Sequence, residues 1–330
     1  MKSRFTAGLA LELVLAAYPI WGTGAPPSYT STAGTPTARA VAQHFILTRG
    51  HVAPQVVFAA ANTIEVPFKL YRGYAIVVRG SIRNAKSLNF LLDTGSVPSV
   101  LDRRIAQKLH LTGTVEKLSI FTQELQTERV TAPDVNLGPF HADALPAVVR
   151  DLSFAEEALG TRIDAIIGFD LLNQSAFTID YQSRKIVVGP IDPLLVAIPY
   201  QAGPGYAVVE MKIKQQKLLL LVDTGASNLV LFESATRDCP DAFKTLGTQT
   251  WSNMGGEIRV QQVQLKDAYL GTTPWGTRDV FILPSGGNLP AGLRGLLGVV
   301  SLKARRVGFD PERRILAWDQ QSDSLQPAAR

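Results

Sequence analysis

An apolar run ending in Asp-Thr-Gly occurs twice, as Phe90-Leu91-Leu92-Asp93-Thr94-Gly95-Ser96 and as Leu220-Leu221-Val222-Asp223-Thr224-Gly225-Ala226. Each run is too short for a helix and stops at a glycine turn, so it reads as a buried strand with an aspartate at its end. A single copy would say little, because Asp-Thr-Gly is also good turn chemistry. The landmarks around the copies say more. Gly168 of Ile166-Ile167-Gly168 lies 75 residues after Asp93, and Gly298 of Leu296-Leu297-Gly298 lies 75 after Asp223. Beyond them, Thr178-Ile179-Asp180 and Val307-Gly308-Phe309-Asp310 keep the same 130-residue offset, as do Arg184 and Arg314. Upstream, Gly73-Tyr74 and Gly205-Tyr206 stand 132 apart, a change of two that reads as a shorter hairpin loop near Gln215-Gln216 in the second copy. A period this long is not a solenoid repeat; it marks a duplicated domain.

Two Asp-Thr-Gly strings, each followed by an apolar-apolar-Gly string, resemble the aspartic peptidases of the pepsin and retropepsin type. The resemblance covers roughly residues 62 to 320. It implies an all-β, bilobal pepsin-like acid protease fold: two retropepsin-like β-barrel lobes related by a pseudo-two-fold axis, with a few short helices. It also implies that Asp93 and Asp223 meet between the lobes as a catalytic dyad, sharing one proton because two adjacent carboxylates do not both ionise easily. Thr94 and Thr224 match the family pair whose hydroxyls bond across the axis to the opposite lobe's backbone. Gly95 and Gly225 let backbone amides approach the carboxylates. Ser96 matches the position whose hydroxyl supports the first aspartate, and Ala226, as in retroviral enzymes, cannot do this. Gly168 and Gly298 are expected where one segment passes tightly behind each Asp loop.

Composition bounds the alternatives. The chain has 330 residues, 46% hydrophobic and 18% charged, enough for two modest cores. Its one cysteine, Cys239, excludes an intramolecular disulfide and a Cys-rich zinc site, and its four histidines form no metal-binding string. No metal and no cofactor are expected. The net charge of +5 is spread over arginine pairs separated by apolar strands, which argues against nucleic acid as a partner. No Gly-x-Ser-x-Gly string supports a serine hydrolase. The expected partner is a peptide or protein substrate in extended conformation. With both lobes in one chain, a monomer suffices. A second reading on the same scaffold is a catalytically weak peptide-binding module.

Along the chain, residues 1–25 read as a signal peptide: Lys2 and Arg4 precede an apolar stretch from Ala7 to Ile20, interrupted by Glu12, with small residues after it. Export to a periplasmic or extracellular location follows from that reading, with no membrane span in the remainder. Residues 26–61 are a Pro/Ser/Thr/Gly-rich leader or linker, 62–195 the first lobe, 196–320 the second, and 321–330 a tail. Asp102 is expected to cap a helix reaching Leu109, and Asn84-Ala85-Lys86 to form a turn. Helices are also expected at Ser153–Leu159 and Phe169–Leu172. Residues 113–137 should form the hairpin that in the family covers the cleft as a flap, although Phe121-Thr122-Gln123-Glu124-Leu125-Gln126 lacks both glycine and the flap tyrosine. In the second lobe Met254, Gly255 and Gly256 fit either a mobile flap tip or an ordinary hairpin turn.

Overall fold

The computed structural model describes residues 17–19, 63–120, 123–193, 195–202, 205–237, 239–253, 256–284 and 292–319. The rest of the signal and leader segments, Phe121-Thr122, Met254-Gly255, residues 285–291 and the tail from residue 320 lie outside them. Both Asp-Thr-Gly repeats belong to one compact unit. Strands dominate it, with a few short helices, so the fold class is all-β as expected.

The apolar runs become strands buried on both faces. Phe90 and Leu92 of the strand Ala85–Leu92 enter one core cluster, while Leu91 between them enters another. In the second repeat Leu220 and Val222 enter the first cluster and Leu221 the second. A strand with core on both sides needs a continuous hydrophobic run rather than an alternating one, which is why these segments read as they do.

The two repeats pair their strands alike. Ala85–Leu92 runs parallel to Ala165–Ile167, with Leu91 opposite Ile166, and Ser99–Asp102 lies antiparallel on the other side, with Val100 opposite Ile166. In the second repeat Leu221 and Val230 flank Leu296 in the same two senses. All three positions are displaced by 130 residues, so the sequence offset is also a spatial register. The upstream change by two has a different origin from the expected shorter loop. Both hairpins turn through two residues, between Ile82 and Ala85 and between Ile213 and Gln216. The first hairpin is longer by one residue at a β-bulge, where Lys86 and Ser87 stand opposite Ser81 between the pairs Gly80–Leu88 and Ile82–Ala85, and Ser87 has φ of 56°. The first turn is therefore Arg83-Asn84, and Ala85 and Lys86 already belong to the strand.

The helices fall where the capping signals put them. Asp102 accepts from Arg104 N at 2.9 Å and opens Arg103–Lys108, which buries Ile105 and Ala106. Ser153–Leu159 and Phe169–Leu172 are also helical. Among the described residues no helix is long and apolar enough to cross a membrane.

The closing hairpins do more than close each repeat. Phe177–Asp180 pairs with Lys185–Val188 on one side and with Arg306–Asp310 of the other repeat on the opposite side. Ile64–Tyr71 and Val196–Pro199 extend this shared sheet at its two ends. Phe177 and Phe309, cross-strand partners from different repeats, stack at 5.0 Å between centroids, and Phe140 and Phe169 surround them at 5.8 and 6.0 Å. Phe309 is fully buried. Phe309→Ala should therefore lower the unfolding free energy by about 3–5 kcal/mol in a urea titration. A loss below about 1 kcal/mol would mean that the shared sheet is not part of the structural core.

Candidate active site

Two strand ends bring the aspartates together. Asp223 is the last residue of Gln216–Asp223, and Asp93 follows directly on Ala85–Leu92, its amide donating to Ile167 O at 2.9 Å. Both side chains are completely buried. Oδ1 of Asp93 accepts from Gly95 N at 2.9 Å, and Oδ1 of Asp223 accepts from Gly225 N at 2.7 Å. The glycines also face the opposite carboxyl group. A Cβ on Gly95 would lie 2.8 Å from Asp223 Cγ, and one on Gly225 would lie 2.8 Å from Asp93 Cγ. Any side chain at either position would push the carboxyls apart, so here glycine is required by space.

The threonines interlock the two loops. Thr94 Oγ1 donates to Val222 O at 2.8 Å and accepts from Thr224 N at 3.1 Å. Thr224 Oγ1 donates to Leu92 O at 3.1 Å and accepts from Thr94 N at 3.0 Å. All four bonds are buried and connect segments about 130 residues apart. Each hydroxyl satisfies one donor and one acceptor of the other repeat, so losing either hydroxyl would leave two buried backbone groups unpaired.

Gly168 and Gly298 sit behind the loops with no space for a side chain. A Cβ on Gly168 would be 1.9 Å from Ser96 O, and one on Gly298 2.5 Å from Asn228 O and 2.6 Å from Ala226 O. Ser96 differs from what the resemblance implies. Its hydroxyl donates to Pro98 O at 3.2 Å, not to Asp93, while its backbone amide donates to the Asp93 main-chain O at 3.1 Å and also opposes the rise of the carboxyl pKa. Ala226, fully buried, offers the same amide to Asp223. The serine–alanine difference therefore does not reach the dyad through a hydroxyl. Gly256 opens the strand Gly256–Leu265 opposite Asn253, giving the expected hairpin; Met254 and Gly255 lie outside the described residues.

Electrostatics couples the two acids. Burial raises both carboxyl pKa values, and the neighbouring Asp223 charge raises that of Asp93 further; the glycine, Ser96 and Ala226 amides oppose the shift. The Oδ2 atoms of both aspartates are buried and accept no hydrogen bond from a protein donor among the described residues. Both carboxyls are thus held above the ordinary aspartate range. Proton uptake by a buried pair of this kind is available for acid–base chemistry on a water or a carbonyl group.

Sequence reasoning missed Asp170, a half-buried acid beside the first Asp loop. Asp170 accepts from Ser99 N at 2.8 Å and from Ser99 Oγ at 2.7 Å, while Ser99 Oγ accepts from Gly168 N at 2.9 Å. Burial raises the Asp170 carboxyl, and the bonds from Ser99 counteract this. The triplet ties the loop after Asp93 to the glycine behind it. Its signal was the broken symmetry: at the 130-residue offset Ser99 and Asp170 become Leu229 and Val300, so this side-chain arrangement belongs to the first repeat, while Gly298 N in the second donates to Asn228 O at 3.0 Å. Also missed were Leu118 and Trp251, which carry one hairpin of each repeat into the buried cluster containing Tyr74 and Tyr206.

Residues 78–171 match a family model described as aspartyl protease. That stretch holds Asp93, Gly168 and Asp170. No curated protein is similar enough to the chain to count as a match.

The raised carboxyls have a stability consequence with a fixed sign. The folded protein holds the shared proton more tightly than the unfolded chain, so the proton's stabilising effect is full below the unfolded pKa and is lost as pH rises through the folded one. Asp223→Asn removes the ionisation. It should match wild type in stability near pH 3 and exceed it by roughly 1–3 kcal/mol near pH 7 in urea titrations. A difference independent of pH would contradict the shared-proton account.

Proposed function

We propose that the protein is an aspartic endopeptidase in which Asp93 and Asp223 activate a water for peptide hydrolysis. The reading rests above all on two buried carboxyls, each fixed by its own glycine amide and crowded against the other's glycine. In this mechanism the ionised aspartate takes a proton from the water as its oxygen bonds to the scissile carbonyl carbon. The protonated aspartate gives its proton to the carbonyl oxygen. The resulting tetrahedral diol collapses as one hydroxyl proton returns to the dyad, the C–N bond breaks, and the amine leaves with a proton from the other carboxyl. The dyad ends with one proton, as it began, and no covalent intermediate forms.

In the same reading residues 62–195 and 196–320 are the two lobes of a pepsin-like enzyme, each contributing one aspartate, so a monomer is sufficient. The substrate is an extended peptide paired by strand addition under the hairpins. Residues 1–25 direct export to a periplasmic or extracellular location. The threonine interlock supports the reading because the reaction requires the two carboxyls at fixed separation through both proton transfers.

Cleavage of an unfolded protein across pH 2 to 8 tests it. Wild type should show a bell-shaped rate profile, and Asp93→Asn and Asp223→Asn should each lose about 10³-fold or more in rate while remaining folded. Cleavage that survives both substitutions would overturn the dyad. A folded wild type that binds and protects peptide without cutting it would identify a binding module instead.

A further inference from the structure

The first repeat carries a cavity of about 350 Å³ whose lining includes none of the residues placed around Asp93 and Asp223. It opens beside the helix Arg103–Lys108, against the strands Gln123–Leu137 and Phe140–Arg150. Arg150 pairs with Asp102 at the far end of the strand from Ser99, about 10 Å away along a strand of this length. Ala106, Leu111 and Val149 form an apolar wall. Val115, a large hydrophobic residue 74% exposed, also lines it.

Two guanidinium groups converge here. Arg150 donates from Nη1 to Gln126 O at 3.2 Å, yet its Nε is buried and has no partner among the described residues. What Arg150 offers a ligand is therefore the outer end of its planar, permanently charged guanidinium rather than Nε. Arg103 lines the same cavity, and neither arginine forms an ion pair among the described residues. Burial first, and the Arg103 charge second, weaken the hold of Arg150 on its proton; Asp151 partly offsets this. Glu128 also lines the cavity, with Oε1 engaged by Gly113 N at 2.7 Å. Two guanidinium charges side by side are unfavourable as they stand, and an oxyanion in the cavity would relieve the repulsion.

We propose that this cavity is a binding site for a carboxylate carried on an apolar body, the chemistry of a peptide ending in an apolar residue. The carboxylate takes the paired guanidinium charges of Arg150 and Arg103, and the apolar portion lies on Leu111 and Val149. The site is independent of the cleavage reaction, and its test is binding alone.

Calorimetric titration of the full chain with N-acetyl-leucine, N-acetylleucinamide and inorganic phosphate separates the outcomes. N-acetyl-leucine should bind saturably, and the amide about tenfold more weakly or worse. Arg150→Met and the more exposed Arg103→Gln should each weaken N-acetyl-leucine about tenfold, with Arg103→Gln deciding should the buried substitution unfold the protein. Equal binding of the amide, binding unchanged in the variants, or no saturable binding would overturn the proposal. Phosphate binding as tight as N-acetyl-leucine, and lost in the same variants, would overturn the apolar half of it.

Discussion

Four buried hydrogen bonds between Thr94 and Thr224 and the opposite backbones hold the centre of this molecule together. They are needed because of what stands beside them. Two carboxyl groups buried side by side repel when ionised, and burial disfavours the charge further. Left to relax, the loops would separate and let water in. The threonines prevent this with neutral groups, each giving one donor and one acceptor, so they oppose the repulsion without adding charge near the dyad. The glycines complete the constraint, since any side chain at Gly95 or Gly225 would occupy the space of the opposing carboxyl.

The wider fold serves the same end. Each aspartate stands at the end of a strand buried on both faces, which leaves its backbone little freedom. The shared sheet through Phe177–Asp180 and Arg306–Asp310 fixes the repeats to one another, and the stacked pair Phe177 and Phe309 seals it. Position at the dyad is thus set twice: locally by the threonines, and at longer range by a sheet that neither repeat owns. The symmetry is not complete. Ser99 and Asp170 pin the first Asp loop through side chains, where Leu229 and Val300 stand in the second and Gly298 N bonds the Asn228 backbone carbonyl instead.

Much of this could be read from the chain before any coordinates. The doubled Asp-Thr-Gly string and its glycines carried the strands, because a run such as Leu220-Leu221-Val222 is apolar at every position only when both faces are covered. Capping chemistry located the helix after Asp102. Other features were not legible, for physical reasons. A β-bulge at Gly80–Ile82 and a shorter loop both change the offset, since spacing counts residues and not hydrogen bonds. Pairing of the closing hairpins across the repeats depends on tertiary register, which Thr178-Ile179-Asp180 alone does not encode. The Ser96 hydroxyl could turn toward Asp93 or Pro98, a choice set by local rotamers. Asp170 was readable only as a charge in a position where its counterpart is apolar.

The central claim is that Asp93 and Asp223 titrate as one unit that retains a single proton. Carbon-13 NMR of the aspartate side-chain carboxyls, followed from pH 2 to 8 in wild type and in each single Asn variant, measures this directly. The account predicts two well-separated steps from the pair in wild type, the upper one beyond the ordinary aspartate range, and a single step in each variant. Two carboxyls that both lose their protons near pH 4, unaffected by replacing the other, would contradict it.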